Sequence, residues 1–141
     1  MNYDALRLEN QLCFPLYACS KEIIRKYKPL LDPLGITYTQ YITLMALWEE
    51  DNITVKALGE RIYLDSGTLT PLLKKMEVQK LIKRLRSTSD ERNVYISLTE
   101  EGQALKEKAA AVPQQIGSCL SLSPKEASSL HQILHKILEQ V

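Results

Sequence analysis

Apolar residues recur at three- and four-residue steps along the first part of the chain, which is the spacing of one face of an amphipathic helix. This pattern covers residues 6–27. Pro15 lies inside it and therefore either kinks the helix or stands in its first turn. Pro29 and Pro33 are predicted to break the run. The amino end is thus predicted to be one long helix followed by a turn.

Polar residues that cap helices precede the next apolar runs. Thr37 and Gln40 have the spacing of a capping box. Two short helices joined by only a few residues then form a helix-turn-helix. The predicted helices are one that starts at Thr37, one over about 54–62 capped by Thr54, and one over about 67–80 capped by Asp65 or Ser66.

The pattern then changes from helical to extended. Residues 81–85 and 93–98 alternate or are β-branched, and the polar, basic segment 86–92 separates them. This predicts a β-hairpin with a long basic tip. A fifth helix starts at Thr99 and ends near Cys119, and a sixth starts at the capping box of Ser123 and Glu126.

The predicted fold class is mainly α with a small β-hairpin: a winged helix-turn-helix with N- and C-terminal dimerisation helices. We expect a single domain over residues 1–141, with the winged core at about 37–98 and dimerisation helices at about 5–35 and 99–141. The apolar stripe of the last helix reaches Val141 and has to be buried, so a second copy of the chain is its economical partner. Packing of the first helix on the last within one chain is the alternative.

The composition is that of a globular protein, with 141 residues, 45% hydrophobic and 25% charged. No apolar run approaches the ~18 residues of a membrane span, and the first residues lack the pattern of a secretory signal. We therefore expect a cytoplasmic protein that does not contact a membrane. Three cysteines argue against a disulfide scaffold and leave thiol chemistry open.

The net charge is only +1, but it is unevenly distributed. Residues 66–92 hold seven Lys or Arg and three Asp or Glu. This basic block coincides with the helix-turn-helix and hairpin, so it predicts binding to DNA phosphates, although a solvated surface face is the alternative. The candidate DNA-binding residues are Ser66, Thr68, Thr70, Pro71, Lys74, Lys75, Arg84, Arg86, Asp90 and Arg92.

Position within the block suggests different roles for these residues. Small hydroxyl side chains in the first turns of a recognition helix reach base edges or phosphates, and the lysines one turn later suit the phosphate backbone. Asp90, two residues before Arg92, can hold the guanidinium extended for a minor groove. An ordinary surface ion pair is the alternative for these two residues.

The sequence resembles the MarR family of bacterial transcriptional regulators. The resemblance rests on LDSGTLTPLLKKME (64–77), DERN (90–93) and ISLTEEG (96–102). The segment LENQLCFPLYACSKEIIRKYKPLL (8–31) further resembles the thiol-based, organic hydroperoxide-sensing repressors of that family. The resemblance implies a homodimeric repressor whose recognition helices read an inverted-repeat operator in double-stranded DNA.

Cys13 is the candidate sensing thiol. Tyr17 follows it by four residues on the same helical face, and Tyr27 projects the same way if the helix continues. A phenol can donate a hydrogen bond to a thiolate and so stabilise it. The resemblance implies that Cys13 reacts with peroxide and that Tyr27 and Tyr38 of the other subunit are its hydrogen-bond partners. From the residues alone, a cysteine packed as a small core residue is the alternative.

The other two cysteines are predicted to differ in role. Cys19 is rotated from Cys13 by roughly 240° and raised by ~9 Å, so the two cannot form a local disulfide. The resemblance implies that Cys119 lies in the region of a resolving thiol, which would condense with the sulfenic acid of Cys13 from the partner subunit. Condensation with a small cellular thiol is the alternative. Pro15 departs from the aliphatic residue of the resembled motif.

Three other functions are compatible with the sequence. The chain is expected not to be an enzyme and to need no cofactor; a thiol peroxidase is the enzymatic alternative, but no βαβ pattern is visible. A MarR-type repressor released by a small aromatic ligand in the dimer cleft is a second alternative. A protein-interaction module is a third, against which Asp90 and Arg92 weigh. His131 and His135 are one helical turn apart but lack a third ligand nearby, so no metal site is expected.

Overall fold

The computed structural model describes residues 1–87 and 93–141, and within these ranges it contains seven α-helices and one three-stranded antiparallel sheet. Two compact units are formed by Met1–Ala110 and Ala111–Val141. The predicted fold class, mainly α with a small β-hairpin, is confirmed. The helices are α1 (Cys13–Leu31), α2 (Tyr38–Glu49), α3 (Val55–Ile62), α4 (Ser66–Val78), α5 (Glu100–Ala109), α6 (Val112–Leu120) and α7 (Pro124–Leu138). The strands are β1 (Ile53–Thr54), β2 (Ile82–Arg86) and β3 (Val94–Leu98).

The first helix starts later than the periodicity predicts. Asp4–Leu6 and Leu8–Asn10 form single 3₁₀ turns, and α1 begins only at Cys13. Side chains compete with helix formation here, because Gln11 donates from Nε2 to the carbonyl oxygen of Ala5 at 2.7 Å. Pro15 therefore stands in the first turn of α1, which is one of the two places predicted for it.

The end of α1 corrects a second expectation. Pro29 does not break the helix, which continues to Leu31. A proline in the last turn removes only one N–H donor, and the loss is small beside the burial of Leu31, which is 1% exposed.

The predicted helix caps are formed. The Thr37 amide donates to Gln40 Oε1 at 3.1 Å, which closes the capping box of α2. Thr54 caps α3, and Ser123 with Glu126 closes the capping box of α7. These caps satisfy amides that no helical carbonyl can reach, which is why they locate the helix starts well.

Two helix boundaries in the middle of the chain differ from the prediction. Helix α4 ends at Val78 rather than near residue 80, where Lys80 adopts φ 64°. The single helix expected from Thr99 to about Cys119 is instead two helices, α5 and α6, with Pro113 in the first turn of α6. A proline favours a helix start because it lacks the N–H that a preceding turn would need.

The sheet contains one strand that the sequence did not predict. Strands β2 and β3 form the expected hairpin, with Ile82 opposite Leu98 and Arg86 opposite Val94. Strand β1 adds to the other edge of β3, in the order β1-β3-β2. Two residues are too few to show an alternating pattern, so periodicity could not find this strand.

The core of the first unit is apolar and connects the helix-turn-helix to the sheet. Trp48 also donates from Nε1 to the Gly102 carbonyl oxygen at 3.0 Å, which ties α2 to α5. Each aliphatic side chain buried in this core contributes roughly 1.5–3 kcal/mol to the free energy of folding. The fully buried side chains include Leu44, Leu47, Leu58, Leu69, Leu73, Met76 and Ile96.

Apolar side chains remain exposed on α1 and α7. Helix α7 has no buried residue, and Ile133 is 56% exposed. None of the helices in the described ranges is long and apolar enough to span a bilayer. The exposed apolar side chains of these two helices are Phe14, Leu16, Tyr17, Ile24, Leu130, Ile133, Ile137 and Leu138.

Candidate nucleic-acid interface and thiol site

Helix α4 has one buried face and one exposed face. Leu69, Leu73 and Met76 are at most 1% exposed and fix the helix in the core. The other face carries the residues predicted to contact DNA. All six of these on α4 are exposed: Ser66, Thr68, Thr70, Pro71, Lys74 and Lys75.

The turn between α3 and α4 requires a glycine. A Cβ on Gly59 would stand 2.8 Å from the Leu64 carbonyl oxygen and 2.9 Å from Leu69 Cδ1. Gly59 is buried in α3 and lets the two helices approach this closely. The tight turn presents the exposed face of α4, so α3 and α4 form a helix-turn-helix with α4 as its recognition helix.

The hairpin of β2 and β3 is the wing. Arg84 pairs with Glu77 of α4 at 3.1 Å, so part of its charge is already neutralised within the chain. Arg86 is exposed at the end of β2. Asp90 and Arg92, predicted to act in the minor groove, lie outside the described residues. The DNA-binding role of the ten predicted residues stays a prediction.

Replacing Asp65 with asparagine is expected to keep the cap of α4 and remove part of its pH dependence. The Thr68 amide donates to Asp65 Oδ1 at 2.8 Å. This hydrogen bond, and to a smaller extent one from the Thr68 side chain, lowers the pKa of Asp65 below its ordinary 3.8. A carboxyl whose pKa is lower in the folded state stabilises the fold at any pH above its pKa in the unfolded state. This contribution is lost as the pH falls through the pKa of the folded state. Urea unfolding at about pH 7 and about pH 3 should show a smaller acid-induced loss in Asp65→Asn than in wild type; an equal loss would contradict this role.

The three cysteines are free and exposed. Cys13 is the first residue of α1, and Cys119 lies near the end of α6. Tyr17 lies on α1 with its ring 5.3 Å from Lys21 Nζ. Within the described residues no hydrogen bond joins Tyr17 to Cys13, so the predicted pairing of these two is not formed in the single chain.

The structure brings Tyr27 and Tyr38 together, as a sensing role for both requires. Their ring centroids are 4.7 Å apart, and Tyr41 completes a cluster at 5.9 Å from Tyr27. Tyr41 was not predicted, although its position three residues after Tyr38 on α2 is a signal for a shared face. We call Tyr27, Tyr38 and Tyr41 the tyrosine cluster.

Burial moves the pKa values of the phenols in this cluster further above the neutral range. Desolvation, followed by the charges of Tyr38 and Tyr41, raises the pKa of Tyr27 to about 12. Burial likewise raises the pKa of Tyr38 and of Tyr41. Phenols with raised pKa values are hydrogen-bond donors throughout the neutral range, which is the state needed to stabilise an anion.

Cys13 and the tyrosine cluster are far apart within one chain. Tyr27 lies fourteen positions after Cys13 along α1, which corresponds to a rise of about 21 Å. A hollow of ≈ 370 Å³ lies beside the cluster, and its lining includes Tyr27, Tyr38 and the basic residues Lys21, Arg25 and Lys28. Cys13 therefore does not reach the phenol of Tyr27 along its own α1.

Comparison with known proteins agrees with the fold. Residues 25–109 match the family of transcriptional regulators SarA/Rot. The chain is 56% identical over 140 residues to the organic hydroperoxide resistance transcriptional regulator of Bacillus subtilis, which covers 97% of this chain and 93% of that protein. Overoxidized AbfR bound to DNA superposes with a TM-score of 0.78 at 39% identity, over 99% of this chain and 98% of that one.

A mutant MarR from E. coli, solved in complex with operator DNA, superposes with a TM-score of 0.84 at 25% identity over 98% of this chain and 99% of that one. The chain belongs to the MarR family of transcriptional regulators. The resemblance to the hydroperoxide-sensing group of MarR regulators, stated from the sequence, is confirmed by the relative from Bacillus subtilis. The matched family and the relative from Bacillus subtilis are transcriptional regulators.

The two histidines of the chain, His131 and His135, stack on each other on α7. The rings of His131 and His135 have centroids 4.0 Å apart, and His135 Nδ1 lies 3.0 Å from the His131 carbonyl oxygen. Among the residues that the structure describes, no group of three or more His, Cys, Asp or Glu is arranged to hold a metal ion.

Proposed function

We propose that two copies of this chain form a cytoplasmic repressor that senses organic hydroperoxides through Cys13 and then releases its operator. The observation that carries the proposal is the separation of an exposed Cys13 from protonated phenols about 21 Å along the same helix. Two copies of α1 in antiparallel contact place Cys13 of one subunit beside the tyrosine cluster of the other. The hollow beside Tyr27 and Tyr38 offers space for that thiol.

The exposed apolar faces support the dimer. Side chains such as Ile24 on α1 and Ile133 on α7 are 42% and 56% exposed in the single chain. Exposed apolar helix faces of this kind are typical of interfaces between copies of a chain. Dimerisation also supplies two recognition helices, which an inverted-repeat operator requires.

The proposed chemistry begins at the sulfur of Cys13. The thiolate attacks one peroxide oxygen, the O–O bond breaks, and the products are a sulfenic acid on Cys13 and the alcohol of the hydroperoxide. The cysteine is oxidised by two electrons, the hydroperoxide is reduced, and the leaving alkoxide takes a proton from water. Phenols of the partner's tyrosine cluster stabilise the thiolate before this step by donating hydrogen bonds.

Cys119 of the partner subunit is proposed to resolve the sulfenic acid. Its thiol attacks the oxidised sulfur, an S–S bond forms, and water leaves. AbfR, which is 40% identical to this chain with a TM-score of 0.66, has been solved in a disulfide form. The alternative resolving group is a small cellular thiol.

Oxidised wild-type protein is expected to run as a covalent dimer on a non-reducing gel. The same treatment of Cys119→Ser should leave monomers, because the sulfenic acid of Cys13 then lacks its partner thiol. Cys19→Ser is the matched control, since Cys19 is also free and exposed. A covalent dimer that persists in Cys119→Ser would assign the resolving role elsewhere.

Release of DNA follows from the spacing of the two recognition helices. Helices that read successive major grooves must be held about 34 Å apart, so a shift of a few ångströms ends simultaneous binding. A disulfide between subunits moves α1 and the elements packed on it, and thereby changes this spacing.

Anisotropy of a fluorescein-labelled duplex tests this function. The duplex is isolated from a random-sequence pool with the reduced protein, and we call it the selected duplex. Cumene hydroperoxide should weaken binding about 5- to 150-fold, the usual range of allosteric coupling, and dithiothreitol should restore it. Unchanged binding after full oxidation would exclude a peroxide-released repressor.

A cavity beside the recognition helix supports a second candidate function. Its volume is ≈ 680 Å³, within the range of small-molecule sites, and its lining includes Tyr63, Leu69, Thr70 and Arg84. A repressor released by a small aromatic acid would use such a cavity and not Cys13. Salicylate should then raise the melting temperature and weaken binding to the selected duplex, whereas cumene hydroperoxide should do neither.

A further inference from the structure

A buried amide connects the helix that carries the tyrosine cluster to the recognition helix. Gln40 lies in the first turn of α2 and is 1% exposed. Its Oε1 accepts from the Thr37 amide, and its Nε2 donates to Gln79 Oε1 at 2.9 Å. A polar side chain this deeply buried is costly unless it is paired, so the bond to Gln79 is strongly favoured.

Gln79 belongs to the end of the recognition helix. It directly follows α4 as its C-cap residue, and its amide donates to the Lys75 carbonyl oxygen at 3.0 Å. Its side-chain Nε2 donates to the Gly35 carbonyl oxygen at 3.1 Å, in the turn before α2. The end of α4 is thus tied to the start of α2 at two points, and we call Gln40, Gln79 and Gly35 the glutamine bridge.

The glutamine bridge starts beside the phenols. Tyr38 and Tyr41 flank Gln40 in the first turn of α2, and the Tyr38 ring lies 4.7 Å from that of Tyr27. Close-packed interiors transmit a displacement rather than absorb it. A movement of Tyr38 therefore moves the turn of α2 that holds Gln40.

We propose that the glutamine bridge carries the oxidation signal from the tyrosine cluster to the recognition helix, with Gln79 as the positioning residue. The bond from Gln40 to Gln79 is partly buried and the bond from Gln79 to Gly35 is exposed. Together the two bonds hold the first turn of α2 and the end of α4 in one relative position, so the two move as one body. The inference rests on the proposed function and adds the route by which a change at the thiol reaches α4. Apolar packing between α2 and α4 is the other possible route.

The test measures the ratio of the dissociation constants of oxidised and reduced protein for the selected duplex. Methionine at position 79 keeps the length of the side chain and loses both bridging bonds. In Gln79→Met this ratio is expected to fall about 2- to 30-fold below that of wild type, the range seen for residues that modulate coupling. The affinity of the reduced form should change little, because Gln79 is not among the residues predicted to contact DNA.

Two further variants separate coupling from stability. Gln79→Glu keeps an acceptor for Gln40 Nε2 but loses the donor to the Gly35 carbonyl oxygen, so its ratio should lie between those of Gln79→Met and wild type. Thr43→Val removes a buried hydrogen bond of α2, from Thr43 Oγ1 to the Thr39 carbonyl oxygen at 2.8 Å, that does not involve α4. It should destabilise the protein while leaving the ratio unchanged.

The outcomes distinguish this inference from the proposed function. A ratio that falls in Gln79→Met but not in Thr43→Val supports the bridge. Equal ratios in wild type and Gln79→Met, or equal reductions in Gln79→Met and Thr43→Val, overturn it and leave the repressor intact. A wild-type protein that does not respond to cumene hydroperoxide overturns both.

Discussion

Cys13→Ser is expected to bind the selected duplex as tightly as wild type and to keep that affinity after treatment with cumene hydroperoxide. Serine is close in size to cysteine, so the fold and the reduced dimer should be preserved. Its hydroxyl is not oxidised by peroxide, so the chain has no route to a sulfenic acid at this position. Wild type should lose about 5- to 150-fold in affinity under the same conditions.

Cys19→Ser is the matched control for this measurement. Cys19 is free and exposed on the same helix, so it reports any nonspecific effect of removing a thiol from α1. It should respond to the hydroperoxide as wild type does. Continued release of DNA from oxidised Cys13→Ser, or loss of the response in Cys19→Ser, would remove Cys13 from the sensing role.

Gly102→Ala is expected to cause the largest loss of stability of any single methyl addition at a glycine of this chain. A Cβ at Gly102 would stand 2.1 Å from the Leu81 carbonyl oxygen, and this oxygen also accepts from the Thr99 amide. Because the clash is with backbone, neither α5 nor the start of β2 can relieve it by a change of rotamer. The displacement would also disturb the bond from Trp48 to Gly102.

We expect a net loss of about 2–4 kcal/mol, after the gain of about 1 kcal/mol from helix propensity. The melting temperature should fall by roughly 10 °C. Gly117→Ala is the matched control, because a Cβ there meets nothing within 4 Å in the chain. A melting temperature for Gly102→Ala that equals that of Gly117→Ala would mean that α5 does not pack as closely on residue 81 as described.

The sequence was informative wherever local chemistry decides the structure. Helix starts at Thr37, Thr54 and Ser123 were predictable because a hydroxyl must accept from an orphan amide at each of them. The exposed hydroxyl and basic residues of α4 were predictable because they alternate with Leu69 and Leu73 at helical spacing. Each of these features depends on residues only three or four positions apart.

Features that depend on distant residues escaped prediction. Tyr41 joins Tyr27 through packing of α2 on α1, and Gln40 meets Gln79 across 39 positions of sequence. Single residues likewise gave ambiguous boundaries: Pro29 was expected to end a helix, but the burial of Leu31 outweighs one lost hydrogen bond. The prediction that Cys13 meets phenols of a partner depends on a second chain, and it stays a prediction.

The most direct test of the account is to locate the first oxidised sulfur. Reduced protein is treated with sub-stoichiometric cumene hydroperoxide, trapped with dimedone, and digested with trypsin. The peptide 8–21 contains both Cys13 and Cys19, so fragment ions between them are needed to assign the adduct. The account predicts the adduct on Cys13, rising in proportion to the loss of binding to the selected duplex. An adduct mainly on Cys19 or Cys119, or loss of binding before Cys13 is modified, would contradict it.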